Sequence, residues 1–227
     1  MAIERAAVIG AGVMGAGIAA HLANAGIPVD LLDIVPEGAD RRSVIAEGAL
    51  AKLQKAKPAA FMQRRAARLV TPGNVEDDLE RLAEADWIIE AVIENLEIKR
   101  DLYGRIDAVR KPGSIVSSNT STIPLAALVD GLSEAFTGDF LITHFFNPPR
   151  YMRLFELVTG PATRPEAAAV IRDFADRKLG KGVVPCHDTP GFIGNRLGIY
   201  WLQRALSEAL TAGISVEEAG AVLGRPV

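Results

Sequence analysis

The stretch AAVIGAGVMG, residues 6–15, decides the fold of this 227-residue chain. Its first four residues are apolar, as in a buried strand. Gly10, Gly12 and Gly15 follow, and an apolar helical pattern runs over Val13–Ala25. A strand, a G-x-G-x-x-G turn and a helix in this order begin a βαβ unit, in which the glycines allow a tight turn, the approach of a pyrophosphate and close helix packing.

Short apolar, β-rich runs alternate with helical patterns along most of the chain. This alternation predicts a Rossmann-like α/β fold with a doubly wound, mostly parallel sheet and helices on both of its faces. The predicted strands are Ala6–Ile9, Val29–Leu32, Trp87–Val92, Ile115–Ser117, Phe140–Phe146, Phe155–Val158 and Val183–Pro185. The predicted helices are Val13–Ala25, Glu37–Lys57, Leu96–Val109 and Pro165–Leu179.

A change of pattern at Thr189-Pro190-Gly191 predicts a domain boundary. A long helical pattern follows as far as Ala212, and Ser215 is typical of the N-cap of another helix. We therefore expect a Rossmann domain over residues 1–188. Residues 189–227 are expected to form a linker and the first helices of a truncated helical substrate and dimerisation domain.

Composition limits the classes of function. A net charge of −3 and a pI near 5.7 give no general attraction for nucleic acid or anionic membranes, so neither is an expected partner. The single cysteine, Cys186, excludes an internal disulfide and a cysteine-based metal cluster, and favours the cytoplasm. The apolar residues 6–29 imitate a membrane span, but they contain five glycines and Pro28, so we interpret them as strand, turn and buried helix.

Asp33 ends the second predicted strand and points to the type of cofactor. A carboxylate at this place accepts hydrogen bonds from the adenine ribose hydroxyls and repels a 2′-phosphate, which favours NAD over NADP. The alternative is a packing turn that binds no ligand. We predict an NAD site because strand, glycines, helix, strand and aspartate occur together.

His144 and Glu156 are the candidate catalytic pair. His144 ends an apolar strand at the carboxyl edge of the sheet, where doubly wound folds bind ligands. Glu156 interrupts the apolar run LFELV, residues 154–158, where an unpaired carboxylate is costly to bury. A histidine base oriented by a carboxylate suits a dehydrogenase, which must remove a hydroxyl proton as hydride leaves. On its own, His144 is also compatible with a packed core histidine.

Taken together, these segments resemble the 3-hydroxyacyl-CoA dehydrogenase family from Val8 to about Leu223. The motifs that carry the resemblance are GAGVMGAG (10–17), EAV (90–92) with Glu94 to Lys99, SNTS (118–121), HFFNP (144–148), Glu156 and DTPGFIGNR (188–196).

The resemblance implies that His144 is the general base and Glu156 its partner. Ser121 and Asn195 would lie near the substrate hydroxyl and the thioester carbonyl. From the residues alone, Ser121 and Asn195 are equally compatible with helix caps.

The resemblance also implies a set of cofactor contacts. Glu94 and Lys99 would lie along the nicotinamide-side ribose, and Asn147 near the nicotinamide. The full set predicted to bind NAD is Gly10, Gly12, Val13, Met14, Gly15, Asp33, Glu94, Lys99, Asn119 and Asn147.

Lys52, Lys55 and Lys57 form a basic run near the end of the second predicted helix. Such a run is most often a solvated face. In the resembling family, this region approaches the coenzyme A phosphates, and an acidic protein needs a local basic patch to bind an anionic carrier. We therefore predict that Lys55 and Lys57 bind substrate.

The predicted function is the reversible NAD-dependent oxidation of an L-3-hydroxyacyl-CoA to the 3-ketoacyl-CoA in fatty-acid β-oxidation, without a metal. One alternative is a dehydrogenase of a free hydroxy acid or sugar acid. Another is a binding or assembly module without turnover, because the chain ends before the helical domain that usually completes the acyl pocket. The resemblance further implies a homodimer formed through that domain, and an origin in a long, multi-modular enzyme.

Overall fold

A computed structural model of the chain describes residues 2–224. Its strands are β1 (Ala6–Ile9), β2 (Val29–Asp33), β3 (Val70–Asn74), β4 (Trp87–Glu90), β5 (Ile115–Ser118), β6 (Phe140–Phe145), β7 (Leu154–Thr159) and β8 (Gly182–Cys186). They form one sheet in the order β3-β2-β1-β4-β5-β6-β7-β8. The first six strands are parallel, β7 is antiparallel to β6, and β8 is parallel to β7. The predicted Rossmann-like, mostly parallel sheet is confirmed.

Helices cover both faces of the sheet. They are α1 (Val13–Asn24), α2 (Val44–Leu53), α3 (Leu96–Val109), α4 (Leu125–Val129), α5 (Glu134–Asp139), α6 (Pro165–Arg177), α7 (Gly194–Thr211) and α8 (Val216–Leu223), with 3₁₀ turns at Arg64–Leu69 and Leu79–Glu84. Successive side chains of β1 enter opposite cores: Val8 belongs to the cluster that includes α1 and α6, whereas Ile9 belongs to the cluster that includes α3 and α5. Both faces are therefore apolar and need helical cover.

The edge strand β3 was not predicted from the sequence. Its residues VTPGN, 70–74, contain Pro72 and Gly73, which are typical of turns. Pro72 is tolerated because β3 lies at the edge of the sheet and pairs only with β2. A Cβ on Gly73 would lie 2.5 Å from the Asp78 carboxylate, so a larger residue there would require that side chain to shift.

The second helix is shorter than the predicted span Glu37–Lys57, so that prediction was wrong at both ends. Gly38 has a φ of +69°, and Asp40, Arg41 and Arg42 are exposed, so residues 37–43 offer little apolar surface to bury against the sheet. The helix that forms, α2, buries Ala46 and ends at Leu53.

The C-terminal helices α7 and α8 follow the predicted linker. α7 has no buried residue, and both helices expose large apolar side chains. These are Leu197, Ile199, Tyr200, Trp201, Leu202, Leu206, Leu210, Val216 and Val222. The division into two domains at residue 189 stays a prediction. Over residues 2–224, no helix is both long and apolar enough to cross a membrane.

Candidate active site

His144 and Glu156 face each other across two neighbouring antiparallel strands. His144 near the end of β6 is the cross-strand partner of Glu156 in β7. His144 Nδ1 lies 2.7 Å from Glu156 Oε2, and both side chains are buried. A carboxylate only accepts hydrogen bonds, so Nδ1 donates, and Nε2 of the neutral ring is left as an acceptor. The structure brings the predicted pair together.

The free side of the imidazole faces Ser121. Its Oγ lies 3.2 Å from His144 Nε2, in the loop that follows β5. The ring of His144 also packs edge-on against Phe146 and Phe192, whose centroids lie 4.6 and 5.5 Å away. Nε2 is therefore the atom of this pair that is placed to take a proton from a hydroxyl group.

The second oxygen of Glu156 binds the start of α7. Glu156 Oε1 accepts hydrogen bonds from the backbone N–H groups of Ile193, at 3.0 Å, and Gly194, at 2.7 Å. A helix N-terminus carries unpaired donors and the positive end of the helix dipole, which stabilise a carboxylate. These bonds explain how a fully buried Glu156 is accommodated.

Neither Ser121 nor Asn195 acts as a helix cap. The N-cap of α4 is Pro124, the N-cap of α7 is Ile193, and neither helix start has a side-chain cap bond. Ser121 instead faces His144, while Asn195 is half-buried in the first turn of α7. The predicted contact of Asn195 with substrate stays a prediction.

Glu94 holds the loop that carries Ser121. Glu94 Oε1 accepts from the Ser121 N–H at 3.1 Å and from Thr122 Oγ1 at 3.1 Å, and it also accepts from Thr120 Oγ1. The pKa of Glu94 is lowered, because the bonds from Thr120 and the nearby Lys99 outweigh the desolvation that would raise it. Glu94 is thus an ionised anchor at the carboxyl end of β5.

Lys99 lies behind Glu94. Its Nζ is 3.3 Å from Glu94 Oε2 and 2.7 Å from Glu90 Oε1, and only 1% of its side chain is exposed. The family resemblance implies a place for Lys99 along the nicotinamide-side ribose. The structure places its ammonium group beneath the surface, between the two glutamates.

Glu90 belongs to the motif EAV (90–92), but no role was predicted for it. It is fully buried at the end of β4 and accepts hydrogen bonds from Lys99 Nζ, Tyr103 OH, Ser118 Oγ and the Val92 N–H at 2.6–2.7 Å. Burial and the adjacent Glu90 raise the pKa of Tyr103 well above its usual value, so the phenol stays a donor. The signal was present in the run WIIE (87–90), where a carboxylate ends an apolar strand as in β7.

The glycine turn fits a pyrophosphate group. A Cβ on Gly10 would lie 2.5 Å from Ala91 O, and one on Gly15 would lie 1.8 Å from Gly10 O, so both positions require glycine. No atom lies within 4 Å of the place where a Cβ on Gly12 would stand. The backbone at Gly12 therefore borders open space at the N-terminus of α1, as an anion site requires.

Asp33 stands beside this turn. Its Oδ2 accepts from the Ala11 N–H, and its Oδ1 accepts from the Ile34 N–H at 2.7 Å. A cavity of about 340 Å³ opens next to it, lined by Gly12, Asp33, Ile34 and side chains of α3. The cavity combines apolar walls with a carboxylate, which suits an adenine base and its ribose.

The other predicted cofactor residues lie around the same edge. Asn119 is half-buried, and its Oδ1 accepts from the Phe145 N–H at 3.0 Å, which ties β5 to β6. Asn147 is exposed just beyond β6. Val13 and Met14 form the first turn of α1, where Val13 is 74% exposed. Their contacts with a cofactor stay predictions.

The basic run lies at the end of α2 and just beyond it. Lys52, Lys55 and Lys57 are exposed. A cavity of about 540 Å³ is lined by Gly12, Val13 and Lys52, and another of about 520 Å³ by Lys55 and Arg64 among others. Arg64, which was not predicted, adds a cation beside Lys55.

Comparisons with known proteins agree with this geometry. Residues 5–189 match the family model described as 3-hydroxyacyl-CoA dehydrogenase, NAD binding domain. A probable 3-hydroxyacyl-CoA dehydrogenase of Bacillus subtilis is 47% identical over 99% of this chain and 31% of its own length. Another, from Deinococcus radiodurans, is 47% identical over 99% of this chain and 66% of its own length. The crystal structure of Mycobacterium tuberculosis FadB2 superposes with a TM-score of 0.82 at 33% identity, over 100% of this chain and 80% of that one.

Proposed function

Because this chain belongs to the 3-hydroxyacyl-CoA dehydrogenase family and contains its NAD-binding domain, we propose that it oxidises an L-3-hydroxyacyl-CoA reversibly to the 3-ketoacyl-CoA. The chain spans 31% and 66% of the length of the two relatives. The activity of the whole protein is therefore proposed for this chain. The observation that carries it is His144, bonded to Glu156 through Nδ1 and free to accept a proton at Nε2.

His144 is the general base. Its Nε2 accepts the proton of the substrate hydroxyl, with Ser121 Oγ at 3.2 Å as a further polar contact for that hydroxyl. Glu156 fixes the ring orientation and stabilises the imidazolium that forms. When NAD is bound, its nicotinamide ring supplies the acceptor for the hydride. In the reverse direction, His144 returns its proton to the carbonyl oxygen.

The residues that would hold NAD lie at or after the carboxyl ends of β1, β2, β4, β5 and β6. Gly10, Gly12 and Gly15 form the turn that would bind the pyrophosphate. Asp33 would accept hydrogen bonds from the hydroxyl groups of the adenine ribose. Val13, Met14, Asn119 and Asn147 remain in the proposed set from their place around this edge.

Glu94 and Lys99 have different parts in the proposal. The side chain of Glu94 is 38% exposed, so it is accessible to a ribose hydroxyl. Lys99 is buried and contributes through the two glutamates that it bonds, without needing to reach the cofactor. We therefore assign the ribose contact to Glu94.

For the substrate, Asn195 would lie near the thioester carbonyl, while Lys55 and Lys57 would bind coenzyme A phosphates. Arg64 and Lys52 belong to the same basic surface, because each lines a cavity beside α2. An acyl-CoA carries several negative charges, and this local set compensates for the net charge of −3.

The exposed apolar side chains of α7 and α8 support a homodimer formed through the C-terminal helices. Tyr200, Trp201 and Leu206 are each more than half exposed, and contiguous apolar surface of this kind usually packs against another helical surface. Light scattering at several protein concentrations measures the mass, and a monomer throughout would contradict this part of the proposal.

The proposed activity is tested by titrating NADH into the protein and then following NADH oxidation with acetoacetyl-CoA. Free acetoacetate in the same assay distinguishes a CoA thioester substrate from a free acid. Turnover with the thioester, lost in a His144→Gln variant, is the expected result. NADH binding without turnover of either compound, also when the chain is extended by the part of the Deinococcus radiodurans relative that it does not cover, would favour a binding module.

A further inference from the structure

The segment Gly191–Gly194, which connects β8 to α7, contacts each member of the proposed catalytic group. Its first residue donates from the Gly191 N–H to Ser121 O at 3.0 Å. The ring of Phe192, the second residue of the segment, packs against His144, with 5.5 Å between the ring centroids. The loop that carries Ser121 and the general base are therefore both in contact with this connection.

The last two residues of the segment bind the partner of the base. The N–H groups of Ile193 and Gly194 donate to Glu156 Oε1 at 3.0 and 2.7 Å, while Glu156 Oε2 bonds His144. The two oxygens of one carboxylate thus connect the start of α7 to the imidazole. His144 and these two backbone donors bond Glu156, and the Cys186 thiol lies beside the same carboxylate.

The backbone conformation of the segment is unusual for its residues. Gly191 has a φ of +76°, and Phe192 has a φ of +45° although it is not glycine. Left-handed conformations of bulky residues persist where the surrounding structure imposes them, and they concentrate at functional sites. Phe192 is only 2% exposed, so its burial against His144 and the sheet provides that constraint.

We propose that the Gly191–Gly194 segment positions the His144–Glu156–Ser121 group. Through its two N–H donors to Glu156, the segment also lowers the affinity of His144 for the proton that it accepts. The inference rests on the proposed function for its catalytic meaning. The donors stabilise the negative charge of Glu156, so less of that charge stabilises the imidazolium. A displacement of α7 that lengthens these bonds makes the pair more basic.

The other ionisable groups near the pair come from three elements. Cys186 in β8 lies beside Glu156, and burial together with this carboxylate raises the pKa of the thiol to about 11, so it stays neutral at physiological pH. Glu94 bonds the Ser121 N–H, and Arg196 on α7 bonds Thr189 Oγ1 at 3.3 Å. Cys186 and Glu94 keep their charge state between pH 6 and 8. They therefore do not change the field at His144 in this range, and the experiment varies the N–H donors of the segment.

The experiment replaces one N–H group by an oxygen atom and adds no side-chain atom. Glycolic acid is introduced at position 194 by nonsense suppression, which replaces the Gly194 amide by an ester. The matched control carries the same ester at Gly198, an exposed glycine of α7, where it removes a helical N–H and leaves both donors to Glu156 in place. The His144 ring is followed by NMR with isotope-labelled histidine in the protein without ligands, and a His144→Gln variant assigns its signal among the three histidines.

The expected result is a His144 titration midpoint at least about half a pH unit higher in the Gly194 ester than in the Gly198 ester. Equal midpoints, or a lower one in the Gly194 ester, overturn the inference. The readout needs no turnover, so it stands even if the proposed oxidation fails. If the esters do not fold, Gly194→Pro is compared with Gly194→Ala. Both carry the Cβ that would lie 2.8 Å from Phe146 Cζ, and only proline lacks the N–H. The same upward shift is expected, with the same contrary outcomes.

Discussion

Lys99 and Glu90 form an ion pair inside the protein, with Nζ 2.7 Å from Oε1 and with 1% and 0% of the two side chains exposed. Glu94 shares the same ammonium group at 3.3 Å. Lys99 therefore joins the end of β4 to the residue that holds the Ser121 loop. Replacing both partners of a buried ion pair by apolar residues changes the folding stability little. Removing only one partner is destabilising, because it leaves an uncompensated buried charge.

Lys99→Met is expected to lower the free energy of unfolding by about 3–5 kcal/mol, because Glu90 then loses its cation in a buried site. The measurement is urea denaturation at pH 7. Arg204→Met is the control: it breaks the exposed pair with Glu208 on α7 and should cost less than about 0.5 kcal/mol. Equal costs for the two variants would show that burial does not govern the Lys99 pair.

His144→Gln is expected to lower kcat by about 10² to 10⁴ and to leave the Kd for NADH within about twofold, because it removes the base without touching the glycine turn. Stopped-flow kinetics with acetoacetyl-CoA and fluorescence titration of NADH give the two values. His187→Gln serves as the control, since His187 is an exposed histidine outside the His144–Glu156 pair. A fully active His144→Gln protein would remove the assignment.

Charge reversal at Lys55 and Lys57 is expected to raise the acyl-CoA KM by about three- to tenfold while NADH binding stays the same, because the two cations belong to the basic surface beside α2. The same number of charges is changed in the control Arg172→Glu/Lys178→Glu, on the exposed side of α6 and just after it. Steady-state kinetics at two salt concentrations check the electrostatic origin. A KM that rises equally in the control would assign the effect to net charge.

His21 is expected to make the protein less stable in acid. Burial, and then the nearby Lys181, lower the pKa of His21 to about 4 from its usual 6.5, while its Nε2 bonds Leu179 O at 3.1 Å. The unfolded chain binds this proton below pH 6.5 and the folded protein does not, so stability falls as the pH drops from about 6.5 to about 4. The loss amounts to at most about 3 kcal/mol.

Urea denaturation at pH 7, 6, 5 and 4 measures this loss in the unmodified protein and in His21→Gln, which keeps a donor for Leu179 O. As the pH falls from about 6.5 to about 4, the free energy of unfolding should decrease less in the variant than in the unmodified protein. Outside this pH range, the difference between the two proteins should stay constant. A parallel pH dependence of both proteins would assign the acid sensitivity to other groups.

Much of the site was predictable because it depends on local pattern. The glycine turn with Asp33 is a sequence-adjacent unit, and Glu156 stood out as a carboxylate in an apolar strand that needed a partner, for which His144 was a candidate. The antiparallel turn between β6 and β7 makes these two residues cross-strand neighbours, which the spacing alone does not determine.

What could not be predicted depends on residues that meet only after folding. Glu90 bonds Tyr103 in α3 and Ser118 in β5, and Glu156 bonds the start of α7 far along the chain. β3 was missed because its proline and glycine resemble a turn, and only its edge position makes a strand possible. These are long-range pairings, and local periodicity carries no information on them.

Substitution by alanine should affect different properties at Gly15 and at Gly12: folding stability at Gly15, and NADH binding at Gly12. A Cβ on Gly15 would lie 1.8 Å from Gly10 O and 3.3 Å from Ala91 Cβ, so Gly15→Ala should lose at least about 2 kcal/mol of folding free energy. Gly12 has an ordinary extended backbone, with a φ of −67° and a ψ of −171°, and its Cβ would meet nothing within 4 Å. Gly12→Ala should therefore fold with its stability changed by less than about 1 kcal/mol.

The open space at Gly12 is the place where we expect the pyrophosphate, so the added methyl group of Gly12→Ala should weaken NADH binding by about tenfold or more, which corresponds to about 1.4 kcal/mol. Thermal denaturation and NADH titration of both variants separate the two effects. A Gly12→Ala protein that binds NADH like the unmodified protein would place the pyrophosphate elsewhere, because a methyl group directed into an occupied anion site cannot be neutral.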